Sequence, residues 1–89
     1  MTVSAAVATD LADLTRLFAG YLRFYQVPRD EAEIAAFIGL RLQRGDSQLF
    51  IARDEQGAAQ GFVQLYPFHS SLALEPAWLL SDLYVDESA

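Results

Sequence analysis

Leu80-Ser81-Asp82-Leu83-Tyr84-Val85-Asp86-Glu87-Ser88-Ala89, at the end of the chain, reads as a strand running into an acidic turn. Successive side chains of a strand point to opposite faces of its sheet. Trp78, Leu80, Asp82 and Tyr84 are therefore expected on one face, and Leu79, Ser81, Leu83 and Val85 on the other. Asp82 is the odd member, a carboxylate inside an otherwise apolar strand. It is either a working group, anchoring an amine or passing a proton, or a structural acid bonded to a neighbouring backbone group or arginine.

Working back from this strand, Gly61-Phe62-Val63-Gln64-Leu65-Tyr66 and Leu49-Phe50-Ile51-Ala52-Arg53 read as the two arms of a hairpin. Asp54-Glu55-Gln56-Gly57 forms the turn between them, with Gly57 free to take a positive φ. Pro67 through Ser71 is expected to be a loop that extends to Pro76, and Trp78–Val85 the third antiparallel strand. Before residue 45 the apolar period is helical. Leu11, Leu14, Leu17, Phe18, Tyr21, Leu22 and Tyr25 form one stripe, entered from an N-cap at Thr9 or Asp10 and stopped by Val27-Pro28. Ile34, Phe37, Ile38 and Leu42 form another, opened by a capping box from Asp30 to Glu33 and closed at Gly45. Thr2–Val7 is expected to supply a short first strand. The expected architecture is α/β of the α+β kind, a single unit over residues 1–89: strand, helix, helix, then a three-stranded antiparallel meander.

Composition narrows the function classes. The 89 residues are 53% hydrophobic, an apolar content that leaves surface over for a partner in so small a domain. The net charge is −6 and all six basic residues are arginine. Nucleic-acid partners are disfavoured, because phosphate backbones reward clustered positive charge. Cysteine is absent and His69 is the single histidine, so no disulfide framework and no typical metal site is expected. No apolar run approaches the roughly 20 residues of a membrane span, and the start lacks a signal-peptide pattern. No membrane partner is expected, and the cytoplasm is the expected compartment.

The order and spacing of these elements resemble the GCN5-related N-acetyltransferases (GNAT family). Gln60-Gly61-Phe62-Val63 matches that family's glycine-led hairpin strand, and Leu80-Ser81-Asp82-Leu83-Tyr84-Val85-Asp86 matches its cofactor strand. Leu17-Phe18-Ala19-Gly20-Tyr21-Leu22-Arg23-Phe24-Tyr25 resembles a bacterial subgroup acting on small amines or amino-acid-like substrates. The resemblance implies transfer of acetyl from acetyl-CoA to a primary amine of a small molecule or a lysine side chain. It implies that the main chain of Leu83, Tyr84 and Val85 faces the pantetheine arm and acetyl carbonyl, with an N–H near Val85 polarising that carbonyl. Ser81 stands where some members carry a glutamate, so the catalytic candidates on this strand are Asp82 and Ser81. Glu87 stands where the family's acidic turn usually has proline.

By the same resemblance the first helix lines the acceptor pocket. Tyr21 and Tyr25, four apart, point the same way and are substrate-binding candidates, as is Tyr66; core packing is the competing reading for Tyr21. In the family a basic, glycine-rich turn then opens a helix that holds the cofactor pyrophosphate. That turn is not reached by Ala89. The expectation is an N-terminal half of the fold, inactive alone, with an exposed sheet edge that promotes homo-oligomers. Two other readings compete: a non-catalytic interaction or oligomerisation domain derived from the same fold, and an amine sensor.

Overall fold

An apolar stripe on a short helix has to be buried against something, and here both helices meet one sheet. The computed structural model describes residues 1–87; Ser88 and Ala89, the end of the expected acidic turn, lie outside the described residues. Its elements are β1 (Thr2–Ala5), a 3-10 turn (Ala8–Asp10), α1 (Leu11–Phe24), α2 (Glu31–Arg44), β2 (Gln48–Arg53), β3 (Ala59–Ser70) and β4 (Glu75–Val85). The strands form one antiparallel sheet in the order β1-β2-β3-β4. The expected meander thus holds, and β1 joins it as a fourth strand through Thr2↔Arg53 to Ala5↔Phe50.

The core forms where the stripes meet the sheet: Leu14, Leu17 and Phe18 of α1, Ile34 and Ile38 of α2, and Leu49, Ile51 and Phe62 of the strands are all buried. The Phe18 ring stacks on that of Phe62 at 4.0 Å between centroids. Gly20 permits a second close approach. A Cβ there would lie 2.6 Å from the Tyr84 hydroxyl oxygen, so glycine leaves room for the end of the Tyr84 side chain against α1.

Four local expectations are corrected. First, residues 67–76 are not a loop, because β3 and β4 continue as a long hairpin with only residues 71–74 between them. Pro67 pairs with Trp78 and His69 with Pro76. Proline is tolerated because β2 stops pairing at Leu65, leaving β3 a free side where no N–H is required. Second, the register steps from Gln64↔Asp82 to Leu65↔Leu80, so Ser81 is an extra residue, a β-bulge that resets the alternation. Trp78 and Leu80 consequently do not share the face of Asp82 and Tyr84. Third, α1 ends at Phe24, before Val27-Pro28. Gln26 takes φ 60°, with Gln26 N–H bonded to Arg23 C=O and Val27 N–H to Leu22 C=O, the Schellman closure. Fourth, Asp30 holds the N-cap position of α2 without a side-chain cap bond, and Glu33 instead faces Arg29 at 3.7 Å. Gly45 and Gly57 take φ of 63° and 85° as expected.

Arg53 ties the end of β2 to the start of α1. Its guanidinium meets Asp10 at 2.8 Å and Asp13 at 2.9 Å and donates to the Gly57 carbonyl at 2.8 Å. The Val7 N–H, donating to Asp10, together with Arg53 holds the Asp10 carboxyl below its usual range against the opposing effect of burial. A depressed carboxyl contributes stability above its unfolded value of 3.8 and loses it as pH falls through the folded value. Arg53→Ala is therefore expected to cost about 1 kcal/mol at neutral pH. The gap between variant and parent should narrow in acid, as read from urea midpoints at the two pH values.

Candidate functional site

Between α1, α2 and the β3–β4 ladder lies a cleft of about 490 Å³. Phe18, Leu22, Val27, Ile34 and Phe37 build its apolar wall. Tyr21, Gln64, Tyr66, Ser81 and Asp82 supply its polar groups, and the exposed pair Arg29 and Glu33 also lines it. The bulge explains the polar cluster. Gln64 and Asp82 are cross-strand partners, and such partners lie side by side on one face. The extra residue, Ser81, opens onto the same cleft.

A hydrogen-bonded chain fixes the carboxylate. The Ser47 hydroxyl donates to Gln64 Oε1 at 2.8 Å. Gln64 Nε2 donates to Asp82 Oδ2 at 3.0 Å. The Tyr21 hydroxyl donates to Asp82 Oδ1 at 2.8 Å. Gln64 is fully buried, a position glutamine occupies at low cost only when its amide is bonded. The Asp82 carboxylate only accepts, so it takes the NH2 end of that amide, and the Ser47 hydroxyl, able to donate or accept, donates to the carbonyl end left to it. Each oxygen of Asp82 retains acceptor capacity beyond these bonds.

Tyr21 is held edge-on by Phe62 and Phe18, with centroids at 5.5 and 5.9 Å. Its phenol is pushed up to about 12, first by burial and then by the bond to Asp82. It is thus a neutral donor at neutral pH. Burial, and next the Asp82 charge, likewise push the Tyr66 phenol up.

The strand residues beyond Asp82 face a different space. Leu83, Tyr84 and Val85 line a second hollow of about 280 Å³, together with Phe24, Tyr25 and Glu87. Tyr21 lines both hollows. Tyr25 does not line the Asp82 cleft; it is 63% exposed and stands edge-on to Tyr21 at 5.2 Å. Tyr66 lies in the cleft and Phe68 does not. Asp86 follows the strand, pairing with Arg16 at 3.0 Å and donating its N–H to the Gln60 carbonyl at 2.7 Å. Gln64 and Ser47 were not singled out by sequence. The signal for Gln64 was present: it is the polar residue between Phe62 and Tyr66 on the inward phase of β3. Ser47 carried none, since only the fold brings it to Gln64.

No protein-family model matches the chain. A Bacillus subtilis protein named as the uncharacterised N-acetyltransferase YhfO is 36% identical over 85 residues, 96% of this chain and 56% of the relative. A probable acetyltransferase of Haemophilus influenzae is 40% identical over 76 residues, 85% of this chain and 52% of the relative. The crystal structure of a probable acetyltransferase superposes with a TM-score of 0.93 at 38% identity, covering 100% of this chain and 60% of its own. The chain belongs to the GNAT acetyltransferases. It spans about half the length of the curated relatives it matches. At the level of fold alone, a Clostridium acetobutylicum protein described as a predicted acetyltransferase with acetyl-CoA superposes at TM-score 0.76 and 9% identity, covering 99% of this chain and 61% of its own. Among the described residues of this GNAT chain, no helix is long and apolar enough to cross a membrane.

The Tyr21 phenol gives a test with a fixed sign. A group whose folded value is raised contributes stability below its unfolded value, here 10.0, and loses it as pH rises through about 12. Tyr21→Phe is expected to cost about 1 kcal/mol at neutral pH. It should also remove a tyrosine that ionises near about 12 from the tyrosinate absorbance titration and flatten the alkaline loss of stability.

Proposed function

We propose that the cleft receives a primary amine for acetylation by acetyl-CoA, with Asp82 pairing with its ammonium and accepting its proton. The observation that carries this reading is the Asp82 carboxylate, held from two sides by Tyr21 and Gln64, beside the one side chain that lines both hollows. An amine must lose a proton before it can attack an acyl carbon, so a fixed carboxylate next to its nitrogen serves both orientation and proton removal. Ser81, on the bulge, is the neighbouring hydroxyl able to carry that proton to solvent.

The residues present fit the acyl-bearing arm of acetyl-CoA. β4 pairs with β3 on one side and has no strand beyond it among the described residues, so alternate N–H and C=O groups along Leu83–Val85 point outward. An amide-containing arm matches such an edge. When bound, acetyl-CoA supplies the activated thioester; this chain supplies the edge, the carboxylate and the walls. The pyrophosphate is a different matter. Among the described residues, the strand-edge hollow is lined by one charged side chain, the acid Glu87, and by no cation, a poor setting for a pyrophosphate. Residues 1–89 tested by themselves are therefore proposed to bind amines without turning over. A second reading, an interaction domain, is favoured by one observation: Trp78, Leu80, Leu83 and Val85 are 54–60% exposed, an apolar patch beside an open strand edge.

Titration calorimetry with small primary amines tests the reading, paired with a thiol-release assay in acetyl-CoA. The expected result is saturable binding, weakened about tenfold by Asp82→Asn, with no steady thiol release. Steady turnover by the chain, or equal binding by Asp82→Asn, would contradict it. Self-association without amine binding would favour the interaction domain.

A further inference from the structure

The cleft's own chemistry limits which amines it can take. Its charged lining consists of Asp82, Glu33 and Arg29, a net charge of −1. Glu33 and Arg29 face each other at 3.7 Å, both about 60% exposed. They present a roughly neutral pair, not a second free carboxylate and not a free cation. The remaining counter-charge is Asp82. Away from it the surface is apolar: Leu22, Val27, Ile34 and Phe37.

We propose that the acceptor is a monoamine on an apolar alkyl or arylalkyl body, bound ammonium-first at Asp82 with its body along the α1–α2 wall. This deepens the proposed function and rests on it. A diamine or polyamine would bring a second ammonium against Leu22, Val27 and Phe37, losing its hydration with no carboxylate to pair. A free amino acid would bring a carboxylate to a cleft whose arginine is already opposed by Glu33. An apolar body instead exchanges water for the wall. Each methylene fully removed from water improves affinity by about fourfold. A cleft of about 490 Å³ has room for such a body within the usual range of small-molecule sites.

The experiment is a calorimetric series on the full chain: methylamine, the linear alkylamines from ethyl to hexyl, phenethylamine, putrescine, and glycine. Affinity is expected to climb about two- to fourfold with each added methylene. Putrescine should bind no better than ethylamine, and glycine more weakly than methylamine. Phe37→Ala removes wall at a position already 43% exposed, so the fold should persist. It should weaken hexylamine more than methylamine, so that the gain per methylene falls; an unchanged gain per methylene in this variant would contradict the proposed wall. A flat series in the parent chain, or tighter binding of putrescine than of butylamine, would overturn the inference while leaving an amine site standing. Absence of binding by every amine would overturn the proposed function, and this inference with it.

Discussion

A carboxylate set beneath two helices must find partners inside the fold, and the arrangement of this chain follows from how Asp82 finds them. Its bond from Gln64 runs directly across the β3–β4 ladder. Its bond from Tyr21 runs from the sheet to α1. Between them the two bonds join three elements at one side chain, and neither survives a one-residue slip of β4, which would turn Asp82 to the open face. The bulge at Ser81 reconciles this demand with the rest of the strand. It lets the half of β4 beyond it keep Asp82 and Tyr84 under the helices, while Trp78 and Leu80 fall on the other face.

The aromatic cluster around Tyr21 performs a second task. Phe18, Phe62, Tyr84 and Tyr25 all meet the Tyr21 ring edge-on or nearly so, a preferred geometry for aromatic pairs. Two of these, Phe18 and Phe62, belong to the buried core. The hydroxyl that holds Asp82 is thus positioned by the same packing that stabilises the fold. Gly20 completes the arrangement by letting Tyr84 approach α1 without a Cβ in the way. The cleft and the strand-edge hollow share Tyr21 as a wall, an arrangement that suits the proposed transfer between two bound ligands.

Much of this was legible in the sequence, for identifiable reasons. The helical stripes of α1 and α2 and the hairpin glycines are local signals. The order of elements follows from those signals, Asp82 stands out as the carboxylate of an apolar strand, and the family resemblance offers it as a catalytic candidate. What escaped depends on pairing. The continuation of the hairpin through Pro67 and Pro76 was hidden because proline usually breaks a ladder, and only the absence of a neighbour beyond Leu65 makes it acceptable. The bulge was hidden because strict alternation from Trp78 to Val85 predicts a regular strand. Ser47 and Gln64, seventeen residues apart, become one unit only when β2 and β3 pair. By spacing Tyr21 and Tyr25 point the same way, and the helix end makes Tyr25 the better candidate, yet the close of α1 at Phe24 leaves Tyr25 on the surface while Tyr21 reaches Asp82.

The central claim is that Asp82, held by Gln64 and Tyr21, is the group that meets an amine. Carbon NMR of the aspartate side-chain carboxyls during titration with butylamine examines it directly. The Asp82 carboxyl resonance is predicted to move with a saturable profile matching the binding isotherm, and the Tyr21 ring resonances to move with it. Saturable binding that shifts other carboxyls while leaving Asp82 and Tyr21 unmoved would place the amine elsewhere and contradict the claim.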